Sequence, residues 1–282
     1  MKILFLGGDE RQVYACDYLK SYGYDSEIFL NFTLDKNMQS KLFNSEVIIL
    51  PLPTSNDGLL LQNTIINIED IFNCVSDGTI IYGGKINSSV INIANKRKID
   101  IVDYYNFEDL VINNALISAE GALYYAKEKY TGSIHKAKIA VIGFGRLGKI
   151  LAFLLNSHGA SVTVYARKAL DLAWCGIIGF EAVETAILSD INYHTQLNQY
   201  DILFNTVPYQ AISQDNLEKM SYGTLIIDLA SAPYGVDEGL AKKYSLNYHR
   251  ELSIPGRYAP KSAGEVIAKN LIIDMKKRGI II

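Results

Sequence analysis

Residues 138–148 read Lys138-Ile139-Ala140-Val141-Ile142-Gly143-Phe144-Gly145-Arg146-Leu147-Gly148. A short apolar run of strand character leads into G-x-G-x-x-G, and Arg146 to His158 continues as a helical run. That is the context the motif needs to read as a dinucleotide site rather than as a bare glycine turn without a ligand. The three glycines serve a tight turn, a close backbone approach to a pyrophosphate, and close helix–strand packing. The helix start offers unpaired N–H groups and a positive dipole end to phosphates. Gly143, Gly145, Arg146, Leu147 and Gly148 are therefore the expected cofactor-binding residues.

The next apolar run, Ser161–Tyr165, is followed by Ala166-Arg167-Lys168, with no acid before Asp171. An NAD site places an acidic side chain here for the ribose 2′-hydroxyl. Two cations predict NADP instead, with Arg167 pairing bidentately with a 2′-phosphate and Lys168 adding charge. Lys168 alone reads equally well as a solvated surface charge. Further runs, Asp201–Asn205 and Thr224–Leu229, end in Asn205-Thr206-Val207-Pro208 and Asp228-Leu229-Ala230-Ser231. Ligands of open α/β sheets bind outside the carboxyl ends of strands, so Asn205, Thr206, Val207 and Asp228 are expected beside the nicotinamide. Shorter strands are expected around Phe180–Val183 and Leu246–Tyr248.

The first half repeats the alternation. Ile3–Leu6, Val47–Leu50, Thr79–Tyr82 and Ile99–Tyr104 are short apolar runs, several of them ended by Gly or Pro, as buried parallel strands are. A helix is expected from about Arg11 to Tyr22. Phe107 to Tyr130 has no proline and reads as one long helix, with a break at Thr131-Gly132-Ser133. The predicted class is α/β: two Rossmann-like doubly wound parallel-sheet domains joined by a long helix. Residues 1–130 would form a substrate and catalytic domain and 131–262 an NADP-binding domain. The last helix, 263–282, would pack back on the first domain.

Gly7-Gly8-Asp9-Glu10-Arg11 lacks the three-glycine fingerprint and suits a carboxylate, with Arg11 at a helix start. Thr54, Ser55 and Asn56 offer neutral donors after Pro51-Leu52-Pro53, and Gly83-Gly84-Lys85 ends another strand. These ends are expected to face one cleft. The segment Ser253–Ser262 reads as an ordered loop that clamps an anion through Arg257 and Lys261, or as a surface connector, with Ser262 capping the helix that follows. Arg11, Thr54, Ser55, Asn56, Lys85 and Arg257 are the expected substrate contacts. Asp228 and Lys261 are the candidates for acid/base work. His135, His158, His194 and His249 form no metal-spaced cluster, and no metal is expected.

The 282 residues carry 27 basic and 30 acidic side chains, a net charge of −3, so no basic footprint for nucleic acid stands out. Three scattered cysteines, Cys16, Cys74 and Cys175, match neither a disulfide framework nor a zinc site. No apolar run is long enough for a signal peptide or a membrane span, which predicts a cytoplasmic protein.

Three stretches together carry a resemblance: Gly7-Gly8-Asp9-Glu10-Arg11, Gly143-Phe144-Gly145-Arg146-Leu147-Gly148, and Pro255-Gly256-Arg257-Tyr258-Ala259-Pro260-Lys261-Ser262-Ala263-Gly264. The chain resembles the A subunit of dipicolinate synthase, the dehydrogenase-like subunit of spore-forming bacteria, over essentially its whole length. The middle motif is common among dehydrogenases; the outer two are more specific. More distantly the layout looks like 2-hydroxyacid and alanine dehydrogenases, but the Arg/Glu/His set of the former is not recognisable. The resemblance implies dehydration and NADP-dependent oxidation of the cyclic aspartate-semialdehyde/pyruvate condensation product, on the lysine branch, to pyridine-2,6-dicarboxylate during sporulation. It implies that the partner is the flavoprotein-like B subunit of the synthase and that the chain works in the mother cell; a homo-oligomer is also expected. The rival readings are another NADP-dependent dehydrogenase of a small carboxylate, and a nucleotide-binding subunit inactive without its partner.

Overall fold

The computed structural model describes residues 1–186, 197–220 and 222–281. The fold divides into two compact units, Met1–Asn114 with Pro255–Ile282, and Ala115–Ile254. The sequence reading put the divisions after residues 130 and 262. The observed first division falls inside the long helix, and the Pro-Gly segment joins the first unit.

The first unit starts with β1 (Lys2–Leu6), α1 (Glu10–Ser21), β2 (Asp25–Phe29), α2 (Lys36–Phe43) and β3 (Val47–Ile49). It continues with α3 (Ile68–Asn73), β4 (Ile80–Gly83), α4 (Ser88–Lys96) and β5 (Asp100–Asp103). Its five strands are all parallel, in the order β2-β1-β3-β4-β5. Ile3 pairs with Ser26 on one side and Val47 on the other. The strands read as apolar runs because both faces are covered. Ile3, Phe5, Val47, Ile49 and Tyr82 pack on one face with Ala15, Cys16 and Leu19 of α1. Leu4, Leu6, Ile48, Leu50 and Ile81 pack on the other with Leu42 and Val90. β2 went unread because it is an edge strand whose sequence, Asp-Ser-Glu-Ile-Phe, buries only Ser26.

The long helix α5 (Glu108–Lys129) leads into the second unit. There follow β6 (Lys138–Ile142), α6 (Arg146–Ser157), β7 (Ser161–Ala166), α7 (Ala169–Ile178) and β8 (Glu181–Glu184). The unit continues through β9 (Ile202–Asn205), α8 (Gln214–Lys219), β10 (Leu225–Asp228), α9 (Glu238–Lys243) and β11 (Tyr248–Arg250). The strands are parallel and run β11-β10-β9-β6-β7-β8. This is the dinucleotide-binding order, with its switch point between β6 and β9. Among the described residues no helix is long and apolar enough to cross a membrane.

The expected loop 253–262 is helical. α10 (Ile254–Tyr258) precedes α11 (Pro260–Lys277), whose N-cap is Ala259 with no side-chain cap. Ser262 therefore lies inside the first turn and does not cap the helix. Pro260 opens it, because proline's fixed φ suits the first helical position and its missing N–H is not needed there. α11 returns to the first unit. Ile267, Ala268, Leu271 and Met275 join the core that holds Ala15, Cys16 and Leu19. The Tyr82 hydroxyl donates to Asp274 at 2.8 Å.

Gly264 sets how closely α11 approaches α1. A Cβ there would overlap the Arg11 carbonyl oxygen and stand 2.8 Å from Tyr14 Cβ and 2.9 Å from the Ala15 nitrogen. Two of these obstacles are backbone and cannot swing aside. Gly264→Val is expected to cost on the order of 2–3 kcal/mol of stability by overpacking, read as a lower urea midpoint. A midpoint equal to the native one would mean the helices can part freely.

Candidate functional site

In the second unit the glycine loop leaves β6 at Gly143, whose φ of +101° few side chains tolerate. A Cβ there would overlap the Thr206 hydroxyl and stand 2.6 Å from Val207 Cγ1. One on Gly148 would overlap the Gly143 carbonyl. Gly145 differs. It is the N-cap of α6, makes no side-chain cap bond, and a Cβ on it would meet nothing within 4 Å. Below it lie first-turn N–H groups that a helix cannot pair within itself. An open space over such donors fits a phosphate of a dinucleotide. Arg146 is exposed and Leu147 half-buried beside it.

Thr206 donates its hydroxyl to the Ile142 carbonyl at 2.8 Å, tying the end of β9 to the end of β6. Asn205 is fully buried. Its Nδ2 donates to Asp228 Oδ1 at 2.8 Å and to the Val207 carbonyl at 3.0 Å. The structure thus brings Asn205, Thr206, Val207 and the three glycines to one switch point. Arg167 and Lys168 follow β7 directly and are both exposed. Asp171, the first acid beyond them, lies 4.0 Å from Lys149 Nζ.

Asp228 was expected as an acid/base group, and the geometry corrects this. Its side chain is fully buried. Besides Asn205 it accepts the N–H groups of Ala230, Gly235 and Val236, each at 3.1 Å, and the Tyr248 hydroxyl at 3.4 Å. A carboxylate wrapped by five donors has no lone pair left facing a ligand. It positions Asn205 and folds the 230–236 loop around itself. Gly235 is needed there because a Cβ would overlap the Asn205 amide. Burial, and then the Asp228 charge, push the Tyr248 hydroxyl up to about 12.

His249 is fully partnered. Nε2 donates to Asn247 Oδ1 at 3.2 Å, which leaves Nδ1 to accept the Tyr125 hydroxyl at 2.9 Å. Burial holds its pKa below the usual value, helped by Lys129. A neutral ring satisfies both bonds. His194 lies outside the described residues.

In the first unit Arg11 does not wait for a substrate carboxylate. It is 7% exposed and paired with Asp9, the N-cap of α1. Nε donates to Oδ1 at 2.8 Å and Nη2 to Oδ2 at 2.7 Å; Nη2 also donates to the Leu52 carbonyl at 2.6 Å. Sequence reading missed Asp9 as the partner, although a carboxylate two residues before an arginine at a helix start was the available signal. Gly256 lies over this pair: a Cβ on it would stand 3.0 Å from Arg11 Nε and 3.1 Å from Asp9 Oδ2. Burial alone would raise the Asp9 carboxyl, but hydrogen bonds and charge from Arg11 outweigh it and hold the pKa below the usual range.

Thr54 is buried and bridges strand ends, its hydroxyl donating toward the Gly84 carbonyl at 3.2 Å and the Pro51 carbonyl at 3.3 Å. Ser55 is buried and donates to Asp57 Oδ1 at 2.9 Å. Both are structural here, which corrects their expected role as free donors. Asn56 and Lys85 are exposed. Lys85 stands at φ +51°, its N–H held by Asp103 at 2.9 Å. Arg257 and Lys261 are exposed on α10 and the first turn of α11. The exposed cations of this unit that remain from the expected set are thus Lys85, Arg257 and Lys261.

Residues 2–105 match the family model for the N-terminal domain of the A subunit of dipicolinate synthase. Residues 114–245 match the NAD binding domain of D-isomer specific 2-hydroxyacid dehydrogenases. Over 285 residues the chain is 29% identical to the A subunit of dipicolinate synthase from Bacillus subtilis (strain 168), covering 96% of this chain and 94% of that one. The crystal structure of the Bacillus halodurans A subunit matches with a TM-score of 0.85 at 26% identity, covering 97% of each chain. That of the Bacillus subtilis A subunit matches with 0.82 at 28% identity, covering 99% of this chain and 97% of that one. D-lactate dehydrogenase from Escherichia coli shares the fold, with a TM-score of 0.63 at 12% identity over 99% of this chain and 98% of that one. The chain is therefore similar along its whole length to the A subunit of dipicolinate synthase. Its second unit has the fold of a nicotinamide-binding dehydrogenase domain.

Asp9→Asn is expected to lower stability at neutral pH by roughly 2 kcal/mol, the range for a hydrogen bond to a charged group. The native Asp9 carboxyl titrates below its unfolded value, so its contribution is present above that value and is lost as pH falls through the depressed one. The gap between native and variant unfolding free energies should close in acid. An equal gap at pH 7 and in acid would mean the pair adds nothing.

Proposed function

We propose that this chain is the dehydrogenase-type subunit of a dipicolinate synthase. It would take the cyclic dicarboxylate formed by condensing aspartate semialdehyde with pyruvate. Loss of water, a hydride and a proton from that ring gives pyridine-2,6-dicarboxylate. The observation that carries the reading is the likeness, over both units, to the A subunit of that enzyme; the lactate dehydrogenase shares the fold alone.

The cofactor would be NADP. When bound, its nicotinamide supplies the hydride acceptor. Gly145 leaves room for a phosphate over the first turn of α6, and Thr206 and Val207 form the shelf beside the loop. Arg167 and Lys168 would hold the 2′-phosphate, a choice supported by the absence of an acid before Asp171 and by the Lys149 charge beside that acid. Asp228 acts through Asn205 and does not touch the ring.

The substrate is a dianion, and buried carboxylates need paired donors. Lys85, Arg257 and Lys261 would supply the positive charge. Lys261 would also carry the proton removed as the ring becomes aromatic, since Asp228 is enclosed. The flavoprotein-like B subunit is the partner this reading implies. The mother cell would be its compartment.

Freshly made condensation product with NADP⁺ tests the reading, with and without a flavoprotein-like partner. NADPH and pyridine-dicarboxylate absorbance should rise together. Neither rising in both conditions would overturn it. Arg167→Asp should weaken NADP⁺ binding at least tenfold while changing NAD⁺ binding little, measured by titration calorimetry. Gly145→Val should weaken both dinucleotides, because the added side chain enters the open space, while costing the fold only what a poor N-cap costs a helix, about 1 kcal/mol.

A further inference from the structure

The helix α7 shows its apolar side to the outside. Its sequence, Ala-Leu-Asp-Leu-Ala-Trp-Cys-Gly-Ile-Ile, has one charged residue, and a helix this apolar is as a rule buried on every side. Here Cys175 is its only fully buried side chain. Asp171, the charged residue, is half-buried and lies 4.0 Å from Lys149 of α6. Leu170, Trp174 and Ile177 are 67%, 51% and 77% exposed. Their spacing of i, i+4 and i+7 puts them on one helix face. Phe153 of α6 prolongs the strip. It is 47% exposed and meets Phe180, just beyond α7, edge to face with ring centroids 5.2 Å apart.

Gly176 is a second, independent sign. It lies inside the helix with an ordinary helical backbone, where glycine is the weakest former after proline. A Cβ on it would meet nothing within 4 Å among the described residues. The chain's own packing therefore does not call for glycine there, whereas close approach from outside does. Ala173 and Gly176 are both exposed, one turn apart, beside Trp174 and Ile177. Large side chains and hollows thus alternate across the same face.

We propose that this face of α7 is a two-fold interface between two copies of this chain. A two-fold axis sets a surface against itself, so the surface must be self-complementary. With two α7 helices antiparallel across the axis, Trp174 and Ile177 of one copy enter the hollow at Ala173 and Gly176 of the other. The strip carries no charge to repel its own copy. Its apolar side chains expose on the order of 500 Å², so pairing buries about 1,000 Å² in all, the area a specific interface has to reach. The interface is independent of the reaction proposed above.

Trp174 is the only tryptophan of the chain, so tryptophan emission reports on this face alone. Full-length protein is followed from nanomolar to high micromolar concentration by sedimentation and by emission. The expected result is a doubling of mass and a blue shift with one shared midpoint; protein that is dimeric throughout should be blue-shifted throughout. Ile177→Glu should fold, stay monomeric at every concentration and keep the red-shifted emission of a wet tryptophan. Gly176→Leu fills the hollow and should weaken pairing at least tenfold, while the helix gains a better former and stays folded. It stands in if Ile177→Glu does not fold. Native protein that is monomeric at every concentration overturns the interface. So does a dimer that forms without an emission shift, or one that survives Ile177→Glu. A monomer whose emission shifts only when a flavoprotein-like partner is added assigns the face to that partner and overturns the pairing of copies.

Discussion

The ion pair between Asp9 and Arg11 is the constraint on which the first unit turns. It caps α1, reaches the Leu52 carbonyl beyond β3, and supports Gly256 above it. A guanidinium this buried needs its carboxylate, and neither partner could be removed without leaving a charge stranded. The two motifs that looked like separate ligand sites in the sequence are one piece of architecture. Gly256 fits over the pair, and eight residues later Gly264 fits against α1. The late motif keeps its glycines because the early motif is underneath them.

A second carboxylate does comparable work in the other unit. Asp228 gathers three backbone N–H groups, an amide and a phenol. Through Asn205 it fixes the end of β9, where Thr206 meets the glycine loop. In both units an acid near a strand end organises backbone rather than chemistry. What remains for ligands is open space, as at Gly145.

The sheets were legible because parallel strands covered on both faces must be apolar, and residues such as Ile3–Leu6 and Ile139–Ile142 satisfy that in any context. β2 was not, since an edge strand can carry Asp25 and Glu27. The glycine loop was legible because its spacing encodes a turn, an approach and a packing contact at once. Arg11, Thr54, Ser55 and Asp228 were misjudged for a common reason. Residue type shows that a side chain can bind, but burial and neighbours decide whether it is already bound. The start of α11 was missed because Pro260 was read as a loop residue when it was the first residue of a helix.

The first unit is made of Met1–Asn114 and Pro255–Ile282, with the whole of the second between them. On a ribosome, β1 and α1 emerge before the second unit and α11 after it. The core around Ala15, Cys16 and Leu19 therefore lacks Ile267, Leu271 and Met275 until the whole second unit has been made. The second unit is continuous and has every strand it needs before that moment. The unit whose synthesis starts later can then close first, while β1 and α1 wait for α11.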